Sequence, residues 1–176
     1  MATTITTLQS TQQEEILSFL EDIIGRHSRE EIYSTLFRYI ARGDIEPCDT
    51  IAIARDEDGI VQGAMHYSTS TPHTVQELHD ALPRYVKRYN LSELSTIFGL
   101  PSYGFSGHLI DIHRLESFQK GTGRALVRTV QNEETECVLL RSNTYAYEFY
   151  KKCGFQMIGM SYGTLPIMIW RRDGQY

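Results

Sequence analysis

The sequence predicts an α/β (α+β) fold in a single domain spanning residues 1–176, and three observations carry that expectation. Two β-rich runs, Thr50 to Arg55 and Ile60 to Ser68, are split by Asp56-Glu57-Asp58-Gly59, the composition of a hairpin turn. Ahead of them, apolar residues recur at helical spacing. Behind them, strand-like and helix-like runs alternate around glycines up to the closing residues. The length of 176 residues suits one domain with a real core, and 41% hydrophobic with 22% charged residues excludes a disordered chain.

Taken in order, Ile5, Leu8 and the surrounding threonines read as an opening strand ended by Gln9-Ser10. Thr11 with Glu14 has the spacing of a capping box. Ile16, Leu20, Ile23 and Ile24 then form an apolar stripe that stops at Gly25. Ser28 and Glu31 repeat the device, and Ile32, Leu36, Tyr39 and Ile40 make the second stripe, closing near Gly43. After the hairpin, residues 69–107 read as a helical insertion, with Leu78, Leu82, Val86 and Tyr89 on one face and Pro83 marking a kink or a fresh start. His108 to Leu115 is then a strand, Gly121 to Gln131 a helix, Cys137 to Arg141 a buried strand and Asn143 to Lys152 a helix. Phe155 to Met160 and Leu165 to Arg171, separated by Ser161-Tyr162-Gly163-Thr164, close the chain as an antiparallel pair.

Composition narrows the function classes. The formal net charge of -5 offers no long-range field for phosphate backbones, so nucleic acid is not expected as a partner. The first residues are polar, and no later run is long and apolar enough to cross a bilayer. Cys48, Cys137 and Cys153 are odd in number and contain no CxxC pair, which points to a reducing, cytoplasmic setting and away from zinc or a redox motif. The six histidines show no pair at ligand spacing on one helix face, so no metal is expected. There is no GxSxG elbow and no GxxxxGK[ST] loop, and a GxGxxG fingerprint fails because Leu126 stands where its last glycine belongs.

The chemistry-bearing segment is Phe118-Gln119-Lys120-Gly121-Thr122-Gly123-Arg124-Ala125-Leu126, between a strand and a helix. Gly121 and Gly123 lack Cβ atoms, so the backbone can approach a ligand closely, and the open N–H groups of a helix start attract an anion such as a pyrophosphate. By itself a glycine turn is as readily a plain helix cap. The second element is Asn143-Thr144-Tyr145-Ala146-Tyr147-Glu148-Phe149-Tyr150-Lys151-Lys152-Cys153-Gly154-Phe155.

Together the two segments resemble the GNAT superfamily of acyl-coenzyme A dependent N-acyltransferases, over roughly Gly107 to Arg171. In that superfamily a Gln/Arg-rich Gly-x-Gly turn precedes one helix, and an N..A..(F/L)Y...GF pattern spans the next. The resemblance implies a mixed, mostly antiparallel central sheet flanked by helices, with the helical insertion ahead of the cofactor-binding strand. It implies acetyl-CoA as co-substrate, held by Ile112 and His113 on the strand, by Gln119, Lys120, Gly121, Thr122, Gly123 and Arg124 in the turn, and by Asn143, Tyr147 and Tyr150. Tyr150 takes the place of the family's proton donor to the departing thiolate. A phenol with a pKa of about 10 can donate to a thiolate whose parent thiol lies near about 8.5. Equally, its neighbours Ala146 and Phe149 suit a core aromatic.

An alkylammonium must lose its proton before attacking the thioester. His108, Asp111 and His113 are the candidate bases, with His108 preferred and Glu21, Asp22 and Glu116 behind them. Each also reads as an ordinary strand-end or surface residue. Two departures from the family pattern stand out: Phe118 occupies a Gln or Arg position, and the segment from Gly123 to Asn143 is short, implying a truncated helix after the turn. The expected activity is acetyl transfer to an unidentified primary amine of a small molecule or of a protein or peptide. The competing reading is a non-catalytic acyl-CoA-binding module. Exposed sheet edges, which often pair in this family, add a homodimer to the expectations.

Overall fold

The computed structural model describes residues 3–9, 49–84, 86 and 107–174, and besides these 11, 12, 14–16, 18, 19, 93 and 96. The expected helix from Ser28 to Gly43, the first helix beyond Phe19 and most of the insertion after Val86 lie outside the described residues, as do Glu21, Asp22 and Cys48. Seven strands are present among the described residues: β1 (Thr4–Gln9), β2 (Asp49–Arg55), β3 (Val61–Ser70), β4 (His108–Ser117), β5 (Thr135–Arg141), β6 (Gln156–Ser161) and β7 (Leu165–Arg171). They form one sheet in the order β1-β2-β3-β4-β5-β7-β6. The pairs β1/β2, β2/β3, β5/β7 and β6/β7 are antiparallel, and β4/β5 is parallel. This is the mixed, mostly antiparallel sheet that the sequence predicts. The helices whose bounds fall within the described residues are α1 (Val75–Ala81), α2 (Thr122–Val130) and α3 (Tyr147–Lys152).

The chain divides into two compact units: Met1–Ser68 with His113–Thr129, and Thr69–Ile112 with Val130–Tyr176. In the first, the Asp56 carboxylate organises the β2–β3 turn by accepting from the amides of Asp58 and Ile60 and from the Gln62 side chain. Gly59 takes φ +79, the left-handed conformation that such a turn asks of glycine. Ile51, Ile53, Val61 and Ala64 then meet Ile16 and Phe19 in a buried cluster, with Leu8 and Phe118 packed against it.

In the second unit, α1 starts at Thr74, whose Oγ1 accepts from the Glu77 amide. The Glu77 carboxylate in turn accepts from the His73 amide. This is close to a reciprocal capping box. The helix ends at Leu82, which is extended (ψ 142) as the residue before a proline must be, so Pro83 terminates α1 rather than kinking it. Leu78, Leu82 and Val86 form the expected stripe. They pack on Leu109, Cys137, Leu139, Ile167 and Ile169.

One helix start differs from expectation for a local reason. The expected helix from Asn143 to Lys152 is helical only from Tyr147, because Thr144 to Ala146 form turns. Asn143 Oδ1 accepts from the Ala146 amide at 2.7 Å, an Asn-capped turn that precedes the helix. The β6–β7 turn carries φ +52 at Tyr162 and +73 at Gly163, the two positive φ angles of a tight hairpin, and Tyr162 is exposed.

Candidate active site

The glycine turn stands where the sequence places it, between the last residue of β4 and the first of α2. Ser117 shapes it. Its hydroxyl donates to the Gln119 carbonyl (2.9 Å) and accepts from the Gly123 amide (3.2 Å), while the Thr122 amide closes on the Gln119 carbonyl (3.3 Å). Gly121 takes φ +96 with open space where a Cβ would lie. Among the described residues nothing accepts from the amides of Lys120, Gly121 or Arg124. Gln119, Lys120, Gly121 and Arg124 are exposed, whereas Thr122 and Gly123 are buried. The helix behind the turn is nine residues long, buries Leu126, Val127 and Val130, and exposes Arg124 and Arg128. The result is a preformed set of donors at the positive end of a helix dipole, with the exposed Lys120 and Arg124 beside it: the requirements of an anionic group, and a fit to a pyrophosphate.

The odd Phe118 has a structural reason. Its amide donates to the Gln62 carbonyl, and its ring packs against the Ile16–Phe19–Ile51 cluster, so the polar Gln119 is the residue left in solvent. Two supporting residues are absent from the sequence reading. Ser117 is one. Gly63 of β3 is the other: a Cβ there would stand 2.7 Å from the Glu116 carbonyl oxygen, 3.0 Å from Thr122 Cγ2 and 3.2 Å from Ser117 Cα. A lone glycine inside a strand is the signal for such a close backbone approach.

The tyrosine segment is built differently. Tyr150 lies in α3, 7% exposed, with its ring edge-on to Phe149 (centroids 5.0 Å apart) and to Phe155 (5.6 Å). The helix closes in a Schellman motif: the Gly154 amide donates to the Lys151 carbonyl and the Phe155 amide to that of Tyr150, with Gly154 at φ +87. The Gly-Phe pair that carries the resemblance is thus a helix stop. Tyr147 lines an open groove of about 520 Å³ together with Lys151, whose Nζ stands 5.7 Å from the Tyr147 ring centre. Cys153, expected as a small buried residue, is half-buried at the C-cap.

Of the candidate bases, His108 opens β4. Its Nδ1 is 3.0 Å from Thr71 Oγ1, and its Nε2 lies 3.9 Å from the Glu134 carboxylate. Asp111 and Ile112 are buried, in register with Leu139 and Leu140 of β5. Burial pushes the thiol of neighbouring Cys137 well above its usual range, with Arg171 opposing and Glu136 and Asp111 adding to the rise. Burial also raises the Glu116 carboxyl, against the lowering effect of Arg114.

His113 is not where a scattered histidine would be. Its Nε2 reaches Ser68 Oγ (3.1 Å) and Asp49 Oδ1 (3.7 Å), and its ring lies 4.9 Å from that of His66. Asp49, His66 and His113 each bring one ligand atom within 4.8 Å of the others, a grouping that could hold a metal ion and that the histidine spacing did not anticipate. Helix-face spacing cannot see ligands delivered by three different strands.

No family model matches the chain, and no curated protein does. Solved structures do. Arabidopsis thaliana NAA60 in complex with acetyl-CoA superposes with a TM-score of 0.54 at 15% identity, over 97% of this chain and 99% of that one. Arylalkylamine N-acetyltransferase 2 from Aedes aegypti gives 0.56 at 10% identity, over 98% and 100%. An aminoglycoside N-acetyltransferase gives 0.53 at 15% identity, over 99% of each. At such identities the likeness is one of architecture, and the conclusion it supports is that this chain has the fold of the GNAT N-acetyltransferases.

Proposed function

We propose that this protein is an acetyl-CoA dependent N-acetyltransferase that delivers an acetyl group to a primary amine by direct attack. The observation that carries the reading is the turn after β4, where the amides of Lys120, Gly121 and Arg124 have no acceptor among the described residues and Gly121 leaves the surface above them open. In this reading the turn binds the pyrophosphate through main-chain donors, with Lys120 and Arg124 supplying charge. Acetyl-CoA supplies the activated acyl group.

Tyr150 is the proposed proton donor to the departing thiolate, a role that rests on its place in the N..A..(F/L)Y...GF pattern. His108 is the proposed base. Thr71 Oγ1 lies at hydrogen-bond distance from one ring nitrogen, and the exposed Glu134 carboxylate lies 3.9 Å from the other. The amine acceptor is left as a class. Among the solved likenesses, one is named for aminoglycosides and one for arylalkylamines, and both are amines.

The test is thermal unfolding with and without acetyl-CoA, joined to a thiol-release assay over a panel of amines, polyamines and peptides. Preferential binding to the folded chain raises Tm by mass action. No shift at millimolar acetyl-CoA removes the cofactor reading. A shift without thiol release on any amine leaves the non-catalytic acyl-CoA-binding module in its place. Tyr150→Phe and His108→Gln should each lower turnover about tenfold or more with acetyl-CoA affinity unchanged. An unaltered rate in either variant strikes that residue from the mechanism.

A further inference from the structure

The register of the first unit assembles a second constellation. Asp49 opens β2 and pairs with Ser68 of β3, so their side chains share a face, and His66, two residues before Ser68, shares it too. His113 of β4 completes the group through its contacts with Ser68 Oγ and Asp49 Oδ1. The Asp49 carboxylate divides its oxygens: Oδ2 lies 2.9 Å from His66 Nε2 and Oδ1 lies 3.7 Å from His113 Nε2. One ligand atom from each residue falls within 4.8 Å of the others. Asp49 and His66 are buried, at 3% and 1% exposure, while the His113 side chain is 31% exposed.

Two imidazole nitrogens and one carboxylate oxygen are a donor set for a borderline divalent transition metal. Metal–ligand bonds of about 2.0–2.2 Å put the edges of a tetrahedron at about 3.3–3.5 Å. The observed 2.9 and 3.7 Å bracket that value, and rotation of the exposed His113 ring closes the remainder. We infer that Asp49, His66 and His113 form a binding site for one divalent transition metal ion of the zinc class, with three protein ligands and a fourth position open at the solvent edge of His113. The site uses none of the turn's donors but shares His113 with the strand positions expected to hold acetyl-CoA, so its test reads metal binding and not acetyl transfer.

The full chain, freed of any affinity tag and dialysed against chelator, is titrated with Zn²⁺ against a chromophoric competitor, and with Mg²⁺ in parallel. One equivalent of Zn²⁺ binds and Mg²⁺ does not compete. His113→Ala, at the exposed corner where folding is least at risk, weakens binding about tenfold or more, whereas His79→Ala on α1 leaves it unchanged. X-ray absorption on the loaded chain reports two imidazoles in the coordination shell. Absence of stoichiometric Zn²⁺ binding overturns the inference and leaves the cluster as a hydrogen-bonded Asp–His–His group. Equal affinity in wild type and His113→Ala overturns it as well, assigning the bound ion to other surface residues.

Discussion

Two helix ends in this protein use glycine to opposite effect. At the start of α2, where Gly121 takes φ +96, the amides of Lys120, Gly121 and Arg124 have no acceptor among the described residues, while those of Thr122 and Gly123 are satisfied within the turn. At the end of α3, Gly154 (φ +87) turns the chain so that its own amide and that of Phe155 satisfy the Lys151 and Tyr150 carbonyls. The first end is prepared for something the chain does not itself provide. The second is complete, and its aromatic contacts belong to packing. A glycine in a motif is therefore informative only together with the fate of the hydrogen-bonding groups it exposes.

That contrast can be broken most forcefully at Tyr150. Tyr150→Ala removes a ring packed on Phe149 and Phe155, and should cost about 3–5 kcal/mol in urea unfolding. Tyr150→Phe should stay within about 1 kcal/mol of wild type. A loss below about 1 kcal/mol for the alanine variant contradicts the packed description of α3. The two glycines give the sharper comparison. Gly121→Ala and Gly154→Ala each force a side chain into the left-handed region and should each cost about 1–2 kcal/mol, the new Cβ at Gly154 making only an ordinary contact with Trp170 at 3.4 Å. Only the Gly121 variant should also lose acetyl-CoA affinity, read by calorimetry. Equal affinities dissolve the distinction.

Ser117→Ala deletes the hydroxyl that ties the turn to the Gln119 carbonyl and the Gly123 amide, with an expected cost of about 1 kcal/mol and a weakened acetyl-CoA response. The smallest effect is the pH dependence of Glu116, next to Ser117. Its folded-state carboxyl is raised above 4.5 by burial, so the folded state holds the proton where the unfolded chain has released it. Its contribution is full below 4.5 and is lost as pH climbs through the raised value. Glu116→Gln should flatten that slope in urea midpoints measured across the window. A slope unchanged by the substitution assigns it to another group.

Much of this was legible because it is local. Strand, glycine turn and helix follow each other within one short stretch, and the hairpin between β2 and β3 announces itself through Asp56 and Gly59. The Leu78, Leu82 and Val86 stripe is likewise a matter of spacing. The helix start at Asn143 was misjudged because an Asn cap and an Asn-initiated turn share the same side-chain bond to an amide, and only the following backbone separates them. Gly63 acts through main-chain atoms of another segment, which composition does not encode, whereas Ser117 acts on its own turn from one residue outside the glycine motif. The Asp49–His66–His113 group depends on which residues of three strands face one another, and register across a sheet is invisible to any single run of sequence.

One feature of the turn bears on kinetics. Because the Ser117 hydroxyl already fixes the loop's curvature in the free chain, a phosphorylated guest meets a receptor that has no ordering entropy left to lose there. Capture at this point should then follow simple second-order behaviour, its observed rate climbing in proportion to guest concentration without a plateau.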